Sequence, residues 1–321
     1  QMCIRDRARI IQHKFPQKKI KASTGDENSQ IGGFINAHRE MNAFFDERGS
    51  KYHIFISKPE MSRKTCSRLS PYITYGNISV REVYQRLLAE WNKPGWRRSL
   101  RALSSRLHWH CHFIQKFESE STMENQPINK GYTDFPYKVT DKKHSDFQLW
   151  AHGMTGFPLV DASMRSLHKT GYVNFRMRAM LVSFACHYLM IHWKLVAEHL
   201  AQLFLDFEPG IHYPQIQMQA GVTGINTIRI YNPIKQAMEH DMDTVFIKKW
   251  VHELRQYDSK AILSLPKDNL DLFEDNTAYT HPPYNFNERI SEAKQLLWQW
   301  KKSANVRRNN AKILLKHVKT S

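Results

Sequence analysis

Cysteine is scarce. Among 321 residues the chain carries Cys3, Cys66, Cys111 and Cys186, and no two form a C-x-x-C pair. That argues against zinc ribbons and four-cysteine iron–sulfur frames, and scattered thiols fit a reducing compartment. Long apolar runs are missing too. The most apolar stretch, 179–191, is 13 residues with His187 inside, too short to span a bilayer and about right for a buried helix. The opening QMCIRDRARIIQHKF is basic but lacks the unbroken apolar segment of a signal peptide. There is no sustained apolar–polar alternation to build a sheet, and no internal repeat. Acids are the minority charge: 30 Asp and Glu face 47 Lys and Arg, a formal +17 at pH 7. A basic excess spread along the chain favours a polyanionic partner, nucleic acid first and an acidic membrane surface second.

What is present reads as helix. Hydrophobic residues make up 41% of the chain, enough for a sizeable core. Residues 1–30 are polar and basic, a lead-in or linker, and 31–321 form the folded part. Helical patterning starts at Phe34. Ser70 before Pro71 fits an N-cap followed by a first helical proline, and Ser79 starts a second helix through Tyr84, Leu87 and Leu88. A helix is predicted over 101–117. Residues 119–148 are polar and read as a long surface loop. Pro158 opens a helix that Gly171 stops, 173–205 is a long apolar helix or helix pair, and 208–232 is mostly loop with short helix. Helix returns at 245–254 and 290–315. The fold class is all-α. His108, His110 and His112 alternate in LHWHCHF. On a helix, positions i and i+2 point about 200° apart, so neighbours there cannot share a metal; His108 and His112, i and i+4, could, but partly exposed helix histidines are the favoured reading and no metal site is expected.

Arg176 and Arg178, in NFRMRAML, pose a physical problem. They sit two apart among methionines and alanine, so they point to different sides of a helix. One ligand cannot take both, and an unpaired buried guanidinium is untenable. Asp206 and Glu208, after the apolar run, are the candidate carboxylates.

The motifs then carry a resemblance. Trp150, Gly153, the run Thr155-Gly156-Phe157-Pro158, Val160-Asp161-Ala162, Met164-Arg165, Leu167 and Thr170-Gly171-Tyr172 stand in the order W-x2-G-x-TG-[FY]-P-x-VDA-x-MR-x-L-x2-TG-Y. RMR and DFE follow, and then RIYNPIKQAMEHDMDTVFIKKWVHEL. This resembles the FAD-binding region of the cryptochrome/photolyase family, as does SRLSPYITYGNIS at 67–79. The resemblance spans about 33–254. It implies a helical FAD-binding domain without the N-terminal α/β antenna domain that family members usually carry. The chain opens on Gln1 rather than methionine, so a fragment is expected.

The resemblance implies site residues one by one. Tyr52, Cys66, Ser67, Arg68, Leu69, Ser70, Arg178, Asp206, Glu208 and His212 match cofactor-binding positions. Arg178 pairs with Asp206 beside the flavin, and His212 stands at flavin N5, where a histidine would tune proton and redox state. Arg106, Trp109, His110, Phe175 and Arg176 match DNA-facing positions. Arg106 replaces a glutamate, Phe175 an asparagine, Ala179 a methionine and Met218 a tryptophan. Trp150 and Trp193 match the outer and middle members of an electron-transfer chain whose innermost position is Ile216, an aliphatic side chain that cannot carry a hole.

The expected partner is damaged duplex DNA, with no membrane, no metal and a monomeric chain. The expected activity is light-driven splitting of pyrimidine lesions, a carbon–carbon lyase reaction. The alternative is a blue-light photoreceptor without repair. Cytoplasm, nucleoid or nucleus is the expected location, not secretion.

Overall fold

A computed structural model describes residues 30–265, 279 and 286–317; the 1–30 lead-in falls, but for its last residue, outside them. Residues 32–321 make one contact unit. Among the described residues the architecture is helical, and the one backbone bridge outside helices joins Val139 to Ile191.

Local chemistry sets the helix ends. Ser79 caps Val80–Ala89 in a reciprocal box: its Oγ accepts from Glu82 N at 3.1 Å, and the Glu82 carboxylate accepts from Ser79 N at 2.8 Å. Gly171 ends Pro158–Thr170 in the left-handed region at φ 65°, where a Cβ would meet Leu205 at 2.9 Å. Ser70 departs from expectation. It is the first residue of Ser70–Thr74, Leu69 occupies the cap position, and no side chain caps that helix.

Two irregular segments take definite form. The apolar stretch is a helix pair, one of the two forms expected: Phe175–Ser183 gives way to a π-helical turn, Phe184–Tyr188, and Trp193–Leu203 follows. Between them Met190 O accepts from Lys138 N and Val139 N at 3.0 and 3.1 Å. Segment 119–148 stays mostly at the surface, as expected, but anchors in the interior at intervals. Met123, Tyr132, Phe135, Val139 and Phe147 are buried, and buried Gln217 donates to the Met123 and Gln126 carbonyls at 2.6 and 2.8 Å. The region 208–232 holds an 11-residue helix, Pro209–Gln219, that tolerates an internal Pro214.

The apolar residues gather in two cores. One takes Phe44, Tyr52, Leu69, Val83, Leu103 and Leu107. The larger takes Trp150, Val160, Met180, Trp193, Leu200 and Ile247. The helix Arg97–Ser119 serves both: its first half packs in the smaller core, and Phe117 reaches the larger. Two motifs lock together here. Arg165 makes a two-pronged ion pair with Glu253 at 2.9 and 2.8 Å. Asp161 is fully enclosed and accepts from Thr155 N, Thr155 Oγ1, Gly156 N and the Tyr279 hydroxyl. No helix among the described residues is long and apolar enough to cross a membrane.

Candidate functional site

A cavity of about 680 Å³ opens between the two cores, within the size range of cofactor sites. Tyr52 and loop 66–70 line one wall. Leu103, Arg106, Leu107, Trp109, His110 and Phe113 of Arg97–Ser119 line the next. Phe175, Arg178, Asp206, Glu208 and the Gln215–Gln219 face of Pro209–Gln219 complete it with 225–229.

Arg178 Nη2 grips both oxygens of Asp206 at 2.8 and 2.9 Å, while Nε donates to Val173 O at 3.0 Å. The Asp206 side chain is 7% exposed. Its guanidinium partner also stacks on the Phe204 ring at 4.1 Å, so the pair is shielded on two sides and gains strength from the low local dielectric. Glu208 meets His110 Nε2 at 3.2 Å. A position expected on the cofactor and one expected on DNA are therefore in direct contact.

Loop 66–70 is braced from behind. Arg48 donates to the Cys66 and Ser67 carbonyls at 2.9 and 3.0 Å and to the Glu40 carboxylate. Arg68 takes φ 60°, a left-handed conformation that costs a non-glycine residue about 1–2 kcal/mol, and its guanidinium lies 3.6 Å from the Tyr172 ring centroid. Burial pushes the Tyr52 hydroxyl well above its ordinary value and the Cys66 thiol up to about 12, so both stay protonated donors.

His212 does not line the large cavity. It borders a recess of about 30 Å³ with Arg178, Phe204, Asp206 and Ile216. Its Nε2 lies 2.9 Å from the Ala197 carbonyl, which can only accept, so Nε2 carries the proton. Burial among Phe204, Phe207 and Tyr213 lowers its pKa to about 4. Arg176 lies outside the cavity too, over the Tyr231 ring at 5.6 Å. Arg176 and Arg178 thus face different surroundings, as their spacing demands.

Trp150 is 0% exposed and donates Nε1–H to Leu181 O at 3.2 Å; Trp193 is 1% exposed. An outer relay member must exchange charge with solvent, so the enclosure of Trp150 argues against that role. Sequence reasoning passed over Gln215, Gln219, Asn226, Thr227 and Arg229, which also line the cavity. Gln215 and Gln219 are an i, i+4 pair that Gly210 and Pro214 disguised. Arg229 opens the RIYNP block, a signal that was available.

Residues 102–299 match the family model described as the FAD binding domain of DNA photolyase. The chain belongs to the photolyase FAD-binding family. A deoxyribodipyrimidine photo-lyase of Vibrio cholerae is 27% identical over 258 residues, 79% of this chain and 54% of that protein. A cryptochrome DASH of Synechocystis sp. is 26% identical over 239 residues, 72% of this chain and 48% of that protein. The chain spans about half the length of the curated relatives it matches. An archaeal photolyase from Sulfolobus tokodaii, solved with two FAD molecules, superposes at TM-score 0.70 with 26% identity over 84% of this chain and 56% of that one. The Synechocystis cryptochrome structure reaches 0.77 at 24% identity over 88% of this chain and 59% of that one, a likeness of fold.

The photolyase-type cavity fits FAD. Leu103, Leu107, Phe113 and Ile211 offer apolar walls to flat rings, and Arg68, Arg106 and Arg229 offer donors to a diphosphate. Asp206 and Glu208 supply acceptors.

Proposed function

We propose that the chain is the cofactor-bearing part of a light-driven DNA-repair flavoprotein that acts on pyrimidine lesions. One observation carries this reading: two exposed aromatic rings border a cavity that also holds a buried ion pair. Trp109 is 47% and Phe175 38% exposed, whereas the Asp206 side chain in the same cavity is 7% exposed. Aromatic faces at an entrance suit a base swung out of a duplex, and a damaged pair is already poorly stacked, so extrusion costs less. Bound FAD would supply the light-driven electron that opens the lesion and returns afterwards.

The chain's own residues do the rest. Trp109 and Phe175 hold the extruded bases. Arg176, beside the entrance on Phe175–Ser183, meets backbone phosphate. Arg178, fixed by Asp206, presents a rigid positive edge to the cofactor, and His212 buffers that end with a neutral imidazole. The charge of +17 adds sequence-independent attraction.

A photoreceptor without repair is the second reading. It is favoured by Arg106, Phe175 and Met218, which stand where the resemblance implies lesion contacts of other chemistry. Irradiating the FAD-loaded chain with a reductant and an ultraviolet-damaged duplex separates the two. Dimer loss in light alone supports repair; a loaded, DNA-binding chain that leaves dimers intact overturns it.

A further inference from the structure

One face of Pro209–Gln219 lines the cavity with residues four apart: Ile211, Gln215 and Gln219. Gln219 is 7% exposed, yet its amide makes no hydrogen bond with any described residue. Gln215 is half-buried and makes none either. Gln217 points to another side of the same helix and behaves as a structural glutamine does. Its Oε1 accepts from Ile128 N at 2.8 Å, and its Nε2 donates to the Met123 and Gln126 carbonyls at 2.6 and 2.8 Å. A buried amide with nothing to bond costs about 1–3 kcal/mol, and such exceptions call for an explanation. The recess that Gln215 and Gln219 share with the cavity wall adds Ala179, Val182 and Ile216, side chains without donors or acceptors. Arg178 and Asp206 border it too, but they are committed to each other.

We propose that Gln219, with Gln215 one turn before it, reads the edge of a cyclic imide, the carbonyl–NH–carbonyl run of a pyrimidine-type ring. A primary amide sets a donor beside an acceptor. One glutamine takes the ring N–H on its carbonyl oxygen and gives its own N–H to a neighbouring ring carbonyl; the second serves the other carbonyl. The inference rests on the reading above, which brings two such edges to the cavity: the pyrimidine end of the flavin and a thymine turned out of the duplex. It adds what the charges and aromatic rings of the cavity do not supply, discrimination between an imide and a ring that lacks the N–H.

The experiment uses the whole chain and two pairs of probes: FAD against its N3-methyl analogue, and a duplex carrying a thymine dimer against one whose dimer is N3-methylated. The unaltered chain should prefer the unblocked probe roughly 10- to 100-fold in one pair, and the pair that shows it names the source. Gln219→Met should remove that preference and leave binding of the other pair unchanged. It should also leave the melting temperature of the ligand-free chain level or higher, because the amide it removes has no partner to lose. A lower melting temperature marks a structural glutamine and overturns the inference. Equal binding of blocked and unblocked probes in both pairs overturns it, as does a preference that survives when both Gln215→Met and Gln219→Met are made. A chain that takes up no FAD overturns the proposed function instead, and the duplex pair then still decides the inference.

Discussion

Arg178 has two kinds of neighbour, a carboxylate and a ring, and only the carboxylate neutralises it. Asp206→Ala leaves a largely enclosed guanidinium without its counter-charge, a change that costs about 3 kcal/mol when one partner of a buried pair is removed. The expected result is a chain that purifies without the flavin absorbance of the unaltered protein and melts earlier; full flavin occupancy would sever the link between this pair and the cofactor. Flanking methionine and alanine made a carboxylate partner for one of the two arginines legible, and the resemblance implied the choice of Arg178 with Asp206. The bond from Glu208 to His110 was not legible, since 98 residues separate the two and neither has a local pattern that points to the other. The hold of Arg48 on loop 66–70 was hidden for the same reason. Histidines give a second test at this scale. Burial holds His187 and His212 to about 4, while an unfolded chain protonates them below about 6.5. Between those values the unfolded state binds more protons. Their contribution, about 3 kcal/mol each, is intact above about pH 6.5 and lost as pH falls towards 4. Urea midpoints measured across that window should drop with acid, and less steeply in His187→Gln.

Helices with marked ends were readable; for 173–205 one helix or a pair stayed open, and the place of the break was not legible. Pro158 and Gly171 delimit their helix by backbone chemistry that any reader of the sequence can apply. The turn Phe184–Tyr188 carries no such mark, because apolar residues continue through it and propensity does not change. Tertiary bonds decide it. Ser183 Oγ accepts from Tyr231 N at 3.0 Å, and the Tyr188 hydroxyl donates to Tyr231 O at 2.8 Å. His187 joins them, with Nδ1 3.0 Å from Ser183 Oγ and Nε2 3.1 Å from Ala220 O. This turn thus clamps both ends of the segment that brings Asn226, Thr227 and Arg229 to the cavity. Ser183→Ala removes the acceptor from a buried N–H, worth about 1–3 kcal/mol. Amide exchange at 225–231 should quicken while the Pro158–Thr170 helix keeps its protection. Equal protection in both segments would mean the clamp is redundant. The buried anchors of segment 119–148 were hidden for a related reason: they follow no period, so only the partners supplied by Gln217 and Met190 reveal them.

Across the whole molecule, the proposed DNA binding would draw its salt dependence from charge. Arg176 stands apart from the cofactor cavity, so Arg176→Ala should leave flavin content intact and reduce the slope of log affinity against log salt by about one. An unchanged slope would remove it from the nucleic-acid contact surface. The all-helical class followed from apolar spacing and from motifs that the structure joins, as Arg165 and Glu253 are joined; the division into two cores did not. The cavity between the cores did not, because its walls come from segments that approach only when both cores form.

The turn at Gly131 has a consequence of another kind. Asn129 donates to Val306 O and Asn310 Oδ1, Trp300 donates to Gly131 O, and a Cβ on Gly131 would come within 2.8 Å of Val306. The first of these bonds spans 177 residues. On a translating ribosome adding about 5–20 residues each second, that turn waits roughly 9–35 s for its partner to emerge. The nascent domain therefore leaves an apolar seam uncovered until residues 300–310 have emerged, and its yield in a cell should depend on chaperones that shield such seams in the interval.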